Sequence, residues 1–112
     1  NEISGFSNAY WTGVTTMELA EGINQAIQQD LKGLYHFVNE EKISKYDLIN
    51  IFNQNFRENK IKVIEDSTYK IDKSLISTRN DFNYNVSSYT DMIFKMKQWM
   101  SLHNENYKHY KY

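Results

Sequence analysis

Ser88-Tyr89-Thr90-Asp91-Met92-Ile93-Phe94-Lys95-Met96-Lys97-Gln98-Trp99-Met100 is the stretch whose reading decides the fold class. Tyr89, Met92, Ile93, Met96, Trp99 and Met100 recur at intervals of three and four, the period of one helical face. The helix begins near Ser88, and Asp91 in its first turn favours the free backbone amides there. The Met92, Met96, Met100 and Trp99 stripe reads as helical core rather than as the wall of a cofactor box.

Working outward, two more segments carry helix signals. Thr15-Thr16-Met17-Glu18 is a capping box, in which the Thr15 hydroxyl accepts the Glu18 amide and the Glu18 carboxylate returns to the Thr15 amide. Leu19, Ala20, Ile23, Ile27 and Leu31 then mark one face, and Gly33 supplies the stop. The middle helix begins at Ser44, with Asp47 at its third position and Ile43 and Leu48 placed as a hydrophobic staple. Its buried stripe is Leu48, Ile49, Phe52 and Phe56.

Short strand candidates lie between the helices. Leu34-Tyr35-His36-Phe37-Val38 is aromatic and β-prone, bounded by Gly33 and Asn39. Ile61-Lys62-Val63-Ile64 is a weaker candidate, and Tyr10-Trp11-Thr12 before Gly13 is a third. Residues 67–87 show no firm period, and residues 104–112 form a polar, aromatic tail expected to fray. Three amphipathic helices with two or three short strands predict an α+β fold in a single lobe spanning 1–112. So small a sheet has the look of an appendage to something larger.

Composition removes whole classes of function. The 112 residues include no Cys, so a disulfide framework, a thiolate zinc site and a cysteine nucleophile are all excluded. Thirteen basic against fourteen acidic side chains leave no electrostatic footprint for nucleic acid. No apolar run approaches a membrane span and no signal peptide opens the sequence, so a soluble cytoplasmic protein is expected. Forty per cent apolar residues with 15% aromatic argue that the chain folds. It begins at Asn1 rather than Met, and the expectation is a piece of something longer.

Catalytic candidates are few. His36, His103 and His109 have no spacing that gathers a metal, and His36 in its aromatic segment reads as a packed or hydrogen-bonded core residue. No Gly-rich phosphate loop exists. Tyr69 with Lys73, and Tyr107 with Lys111, match the Tyr-x-x-x-Lys spacing of a catalytic pair. Nine Tyr among 112 residues produce such matches by chance, and neither is read as catalytic. Lys73 and Arg79 are the cations of the aperiodic stretch; facing a phosphate or carboxylate is their functional reading, solvated surface charge the plainer one. Tyr10 and Trp11 beside Gly13 could stack on a base or sugar ring, or belong to core or interface.

Five segments in fixed order carry a resemblance. Tyr10-Trp11-Thr12-Gly13-Val14-Thr15-Thr16-Met17-Glu18-Leu19-Ala20 resembles the lead-in to a helix in the C-terminal half of the dTDP-4-dehydrorhamnose reductase family of extended short-chain dehydrogenases. Gly33-Leu34-Tyr35-His36-Phe37-Val38-Asn39 is similar to that family's G-x-Y-H-x-x-N strand, and Ser44-Lys45-Tyr46-Asp47-Leu48 to its S-K-Y-D-L helix start. Asp72 through Arg79 resembles its D-[KR]-[SP]-L-x-[NS]-T-R segment, and Val86-Ser87-Ser88-Tyr89 its V-P-S-Y helix opening, with Ser87 in place of Pro.

The resemblance implies the C-terminal, substrate-binding lobe of a Rossmann-type enzyme. The family's N-terminal Rossmann domain binds NADPH or NADH, supplies the catalytic Thr/Ser, Tyr and Lys, and is absent from this sequence. The whole enzyme reduces the C4 keto group of dTDP-4-dehydro-rhamnose to give dTDP-rhamnose. The expectations that follow are no catalytic residue, cofactor or metal in this lobe, and no activity alone. Lys73, Arg79, Tyr10 and Trp11 are the candidate contacts to a nucleotide-sugar substrate. The partners expected are that substrate and the Rossmann domain, with self-association possible through the orphaned interface and no nucleic acid or membrane. A lobe of a nucleotide-sugar epimerase or dehydratase, and a free-standing non-catalytic binding module, are the alternatives.

Overall fold

The computed structural model describes residues 1–110. Its elements are β1 (Glu2–Trp11), α1 (Thr16–Gln28), β2 (Ile43–Ser44), α2 (Lys45–Arg57), β3 (Lys62–Lys73), α3 (Tyr89–Leu102) and a 3-10 turn at Asn104–Tyr107. Three helices and a three-stranded mixed sheet make the fold α+β, as the periodicity predicts. Each predicted helix start is present: the hydroxyls of Thr15, Ser44 and Ser88 accept the amides of Glu18, Asp47 and Asp91. A side-chain oxygen there satisfies a donor that the helix itself leaves free.

The sheet has the order β2-β1-β3. β1 and β3 run parallel from Glu2↔Lys62 to Trp11↔Lys73, with the register broken between Phe6 and Asn8. β2 lies antiparallel against the end of β1 through Tyr10↔Ser44 and Trp11↔Ile43. A parallel pair needs a long connection, and α2 supplies the part of it that packs on the sheet. Tyr46 of α2 sits on Gly5, where an added Cβ would come within 2.9 Å of the Tyr46 Cα. Glycine at this point lets the helix lie close to the strand.

Three strand expectations are corrected. The extended piece at residues 10–12 is the end of a ten-residue strand. Its earlier part, Ile3-Ser4-Gly5-Phe6-Ser7-Asn8-Ala9, lacks β-branched alternation, and glycine stands at position 5 where Tyr46 of α2 presses on the strand. The candidate at residues 61–64 is the opening of a twelve-residue strand. Polar residues from Glu65 onward suit an edge strand bonded to β1 along one side and open to water on the other. Leu34–Val38 forms no strand, since no described strand lies beside it to complete a ladder.

α1 also departs from expectation. It ends at Gln28 rather than near Gly33, because Asp30 takes a left-handed conformation (φ 52°) and closes the helix. The Leu31 amide reaches the Ala26 carbonyl and the Asp30 amide that of Ile27, the paired bonds of a Schellman turn. Gly33 is left-handed too (φ 77°), within the following loop. The predicted apolar face of α1 is not buried: Leu19, Ile23 and Ile27 are 42%, 51% and 73% exposed. The helix is held instead by Glu18 and Gly22, its buried residues. The Phe37 ring covers Gly22, where a Cβ would fall 2.4 Å from it.

The core lies between the end of β1, α2 and the start of α3. Ile43, Tyr89 and Met92 form its centre, with Trp11, Val14, Leu48, Ile51 and Val86 against them. Beyond α3, the predicted frayed tail is partly ordered, with the 3-10 turn and a Tyr107–Tyr110 ring contact. No helix among the described residues is long and apolar enough to cross a membrane.

Asn53 acts as a clip between α2 and β3. Its side chain is buried, donates to the Ile61 carbonyl at 2.7 Å and accepts the Ile61 amide at 3.2 Å. Asn53→Ala strips both bonds from the part-buried Ile61 backbone and should cost about 1–3 kcal/mol in urea unfolding. Burial pushes the Tyr89 phenol up to about 12, so folding favours its neutral form. Stability from this group is held below about pH 10, where an unfolded Tyr ionises, and falls as pH rises toward 12. Tyr89→Phe should flatten that alkaline loss in a pH series of thermal melts.

Candidate functional site

Parallel strands gather their carboxyl ends at one edge, and here that edge carries most of the candidate residues. Tyr10 is paired with Asp72 and Trp11 with Lys73. Immediately beyond, the buried Thr12 hydroxyl accepts the Leu75 amide at 2.9 Å and faces the Leu75 carbonyl at 3.3 Å. That exchange fixes the course of the chain leaving β3 against the chain leaving β1. The register brings Tyr10, Trp11 and Lys73 together; Arg79 belongs to a different group.

Both aromatic faces at this edge already carry a cation. Lys42 Nζ lies 4.4 Å from the Tyr10 ring centroid and 2.7 Å from Asp72 Oδ2. Lys45 Nζ lies 5.1 Å from the Trp11 ring, which also packs against Tyr89 at 6.2 Å. The Trp11 indole overlies Gly13 so closely that a Cβ there would fall 1.9 Å from the ring. Trp11 is therefore mostly a packing residue, and Tyr10 is the more accessible face. Lys42, and then the Ser74 hydroxyl and amide, hold the Asp72 carboxyl well below the usual carboxylate range. The Lys73 side chain is exposed and its ammonium makes no hydrogen bond or ion pair among the described residues, which leaves it available to an anion.

Arg79 is committed elsewhere. Its Nε and Nη2 hold the two Asp81 carboxylate oxygens at 2.9 and 2.6 Å, a bidentate pair. Its Nη1 donates to the carbonyls of Lys32 and Leu34 at 2.6 and 2.8 Å, on either side of the left-handed Gly33. Arg79 thus ties the loop after α1 to the segment before α3. The guanidinium sits 5.7 Å over the Tyr35 ring and forms one wall of a cavity of about 480 Å³, with Glu40, Asn80, Phe82 and Asn85 among its other walls.

A second buried junction was invisible in the spacing of residues. Glu18, only 2% exposed, makes no return bond to Thr15; its Oε1 accepts the Ser87 amide at 2.8 Å. The Tyr84 hydroxyl lies 3.1 Å from Glu18 and 3.3 Å from Glu21. Burial first, and then these two carboxylates, push the Tyr84 phenol above its ordinary range. The capping-box reading identified Glu18 but assigned its carboxylate a local partner instead of one 69 residues away.

The Tyr-x-x-x-Lys matches lack pair geometry. Tyr69 and Lys73 both lie in β3, where four residues span about 13 Å, and the Tyr69 ring packs on Phe6 at 5.2 Å. Lys111 of the second match lies outside the described residues. His36 is not the core residue expected: it is exposed, because its segment alternates sides and Tyr35 and Phe37 take the inner one, and its Nδ1 lies 3.1 Å from the Ile76 carbonyl.

No protein-family model matches this chain, and no curated protein matches it in sequence. Among solved structures, the crystal structure of dTDP-4-dehydrorhamnose reductase from Bacillus anthracis str. Ames in complex with NADP is similar, with a TM-score of 0.70 at 19% identity. The match covers 85% of this chain and 36% of the solved one. At that identity the likeness is one of fold, and the chain spans little more than a third of the solved protein's length.

Arg79 and Lys73 should separate in a mutational test. Arg79→Lys, which cannot span Asp81 and two carbonyls in one plane, is expected to lower the melting temperature by several degrees. Lys73→Ala should leave it unchanged within about one degree.

Proposed function

We propose that this chain is the substrate-side lobe of an NAD(P)H-dependent sugar-nucleotide reductase, one that converts dTDP-4-dehydro-rhamnose to dTDP-rhamnose. The carrying observation is the unburied apolar face of α1. Leu19, Ile23 and Ile27 have the spacing of a core-facing stripe, yet they face solvent. The whole chain is similarly under-buried, with 8109 Å² accessible against about 6,500 Å² for a compact chain of its mass. Its radius of gyration is 16.0 Å where about 13 Å is usual for the length. These are the proportions of a flat lobe made to lie against another body. The fold likeness to an NADP-bound reductase, of whose chain the match covers 36%, supports that reading.

In this reading the nicotinamide cofactor delivers hydride to C4 of the sugar from a lobe outside this sequence, and a proton from an acid of that lobe completes the alcohol. The residues present here bind and orient. Lys73 offers an unpaired ammonium to the pyrophosphate, and Tyr10 beside it offers an aromatic face once Lys42 swings aside. Arg79 shapes the neighbouring cavity wall while holding the loop after α1.

The test begins with the native gene product, detected in its own cells by antibody to this chain. A species of about 30 kDa or more, the scale of the matched solved chain, is expected. That protein should oxidise NADPH in the presence of dTDP-4-dehydro-rhamnose, and the isolated chain should not. Lys73→Ala in it should raise KM for the sugar nucleotide roughly fivefold with kcat nearly unchanged. A native species of 13.4 kDa would instead establish a free-standing module.

A further inference from the structure

Asn80-Asp81-Phe82-Asn83-Tyr84-Asn85 alternates ring and amide from Phe82 onward. Phe82 and Tyr84 turn inward and stack at 5.8 Å with 12° between their planes, while Asn83 and Asn85 stay exposed. Tyr35 meets Phe82 edge-on at 5.2 Å. These three rings line the cavity of about 480 Å³ beside Arg79, with Asn80 and Asn85 on one wall and Glu40 on the other. A second cavity of about 340 Å³ shares Asn39, Glu40 and Asn85 with the first, so the two form one groove.

The backbone around this groove is held from three directions. Asn39, 7% exposed, donates to the Ser87 carbonyl at 2.9 Å and accepts the Glu41 amide at 3.0 Å, and its own amide reaches the Thr12 carbonyl at 2.9 Å. Gln29 exchanges two bonds with the Asn83 backbone, at 2.8 and 3.0 Å. Arg79 grips the carbonyls of Lys32 and Leu34. The side chains of Glu40, Asn80, Asn83 and Asn85, by contrast, make no hydrogen bond or ion pair among the described residues. A groove already formed, with uncommitted polar groups on its walls, costs little ordering when a ligand enters.

The lining also selects the ligand. Arg79 is the one cation among the described residues that line the groove, and four of its five N–H groups are engaged by Asp81 and the two carbonyls. Glu40 adds a negative charge, so an anion finds no partner here. The rings pack on one another and leave no slot between parallel faces for a flat base. Asparagine amides both donate and accept, as the neighbouring hydroxyls of a sugar do, and an aromatic surface suits the C–H face of a sugar ring. The volume lies within the range of about 300–1,000 Å³ usual for small-molecule pockets. We propose that this groove binds a neutral saccharide, its ring against Tyr35 and Tyr84 and its hydroxyls on Glu40, Asn80 and Asn85, at a site separate from the strand ends that carry Tyr10 and Lys73. The site goes beyond the reductase reading and does not depend on it.

The native gene product, labelled with ¹⁵N at asparagine, is titrated with glucose, galactose, mannose and N-acetylglucosamine. At least one sugar should shift the side-chain amides of Asn80 and Asn85 saturably, with a Kd on the order of 1 mM. Asn80→Ala with Asn85→Ala should weaken that sugar at least about tenfold and leave the melting temperature within about one degree. Saturating dTDP should not displace it. Silence from all four sugars up to about 100 mM would overturn the site, as would displacement by dTDP. The same shifts produced by inorganic phosphate would make the groove an anion site and overturn the assignment too. Saccharide binding by a protein inactive toward dTDP-4-dehydro-rhamnose would sustain this site while the proposed function fails.

Discussion

The parallel pairing of β1 with β3 is the constraint on which the rest of the molecule depends. Two strands running the same way cannot be joined by a tight turn, so the chain must leave β1, cross and return. α2 occupies that return and packs against β1 where Gly5 admits it. The pairing also places the ends of both strands at one edge, which sets Trp11 beside Lys73 and lets Thr12 hold Leu75. The compact core formed by Ile43, Tyr89 and Met92 lies at this same end of the sheet. Packing and candidate binding residues therefore share one support.

The opposite side of the molecule is organised differently. α1, residues 34–38 and residues 76–87 are joined by polar clasps more than by a hydrophobic core: Glu18 to Ser87, Gln29 to Asn83, and Arg79 to Asp81 and the loop carbonyls. An aromatic row of Tyr35, Phe37, Phe82 and Tyr84 fills the space beneath. Such clasps fix geometry without burying much surface, and the apolar stripe of α1 remains outside them. The layer is ordered but incomplete, with the apolar material on the face away from its own core.

Of the candidate site, the sequence supplied the residue names and little of their use. Lys73 and Tyr10 stand at the strand ends where a ligand could reach them. Arg79, with the same formal charge as Lys73, is consumed by an internal clamp, and nothing in its neighbours Thr78 and Asn80 indicates that. Trp11 is claimed by packing over Gly13. Lys42 and Lys45, which lie on the aromatic faces, were not singled out because cation–π pairs between residues some thirty positions apart leave no local pattern.

The amino-acid sequence by itself determined the three helix starts, the α+β class and the core residues at the start of α3, Tyr89, Met92 and Ile93. Those depend on hydroxyl caps and on three-and-four spacing, which are local in the chain. Of the expected α2 stripe only Leu48 packs on that core, and the expected core residues Phe52 and Trp99 are 37% and 44% exposed. The strands were decided by the tertiary structure. β1 is a strand because α2 and β3 flank it, despite Ser, Gly and Asn in its run. Leu34–Val38 has the better β composition and is no strand here because no edge lies beside it. A helix satisfies its backbone within itself, whereas a strand requires a neighbour, and which neighbour is present is not written in the strand's own residues.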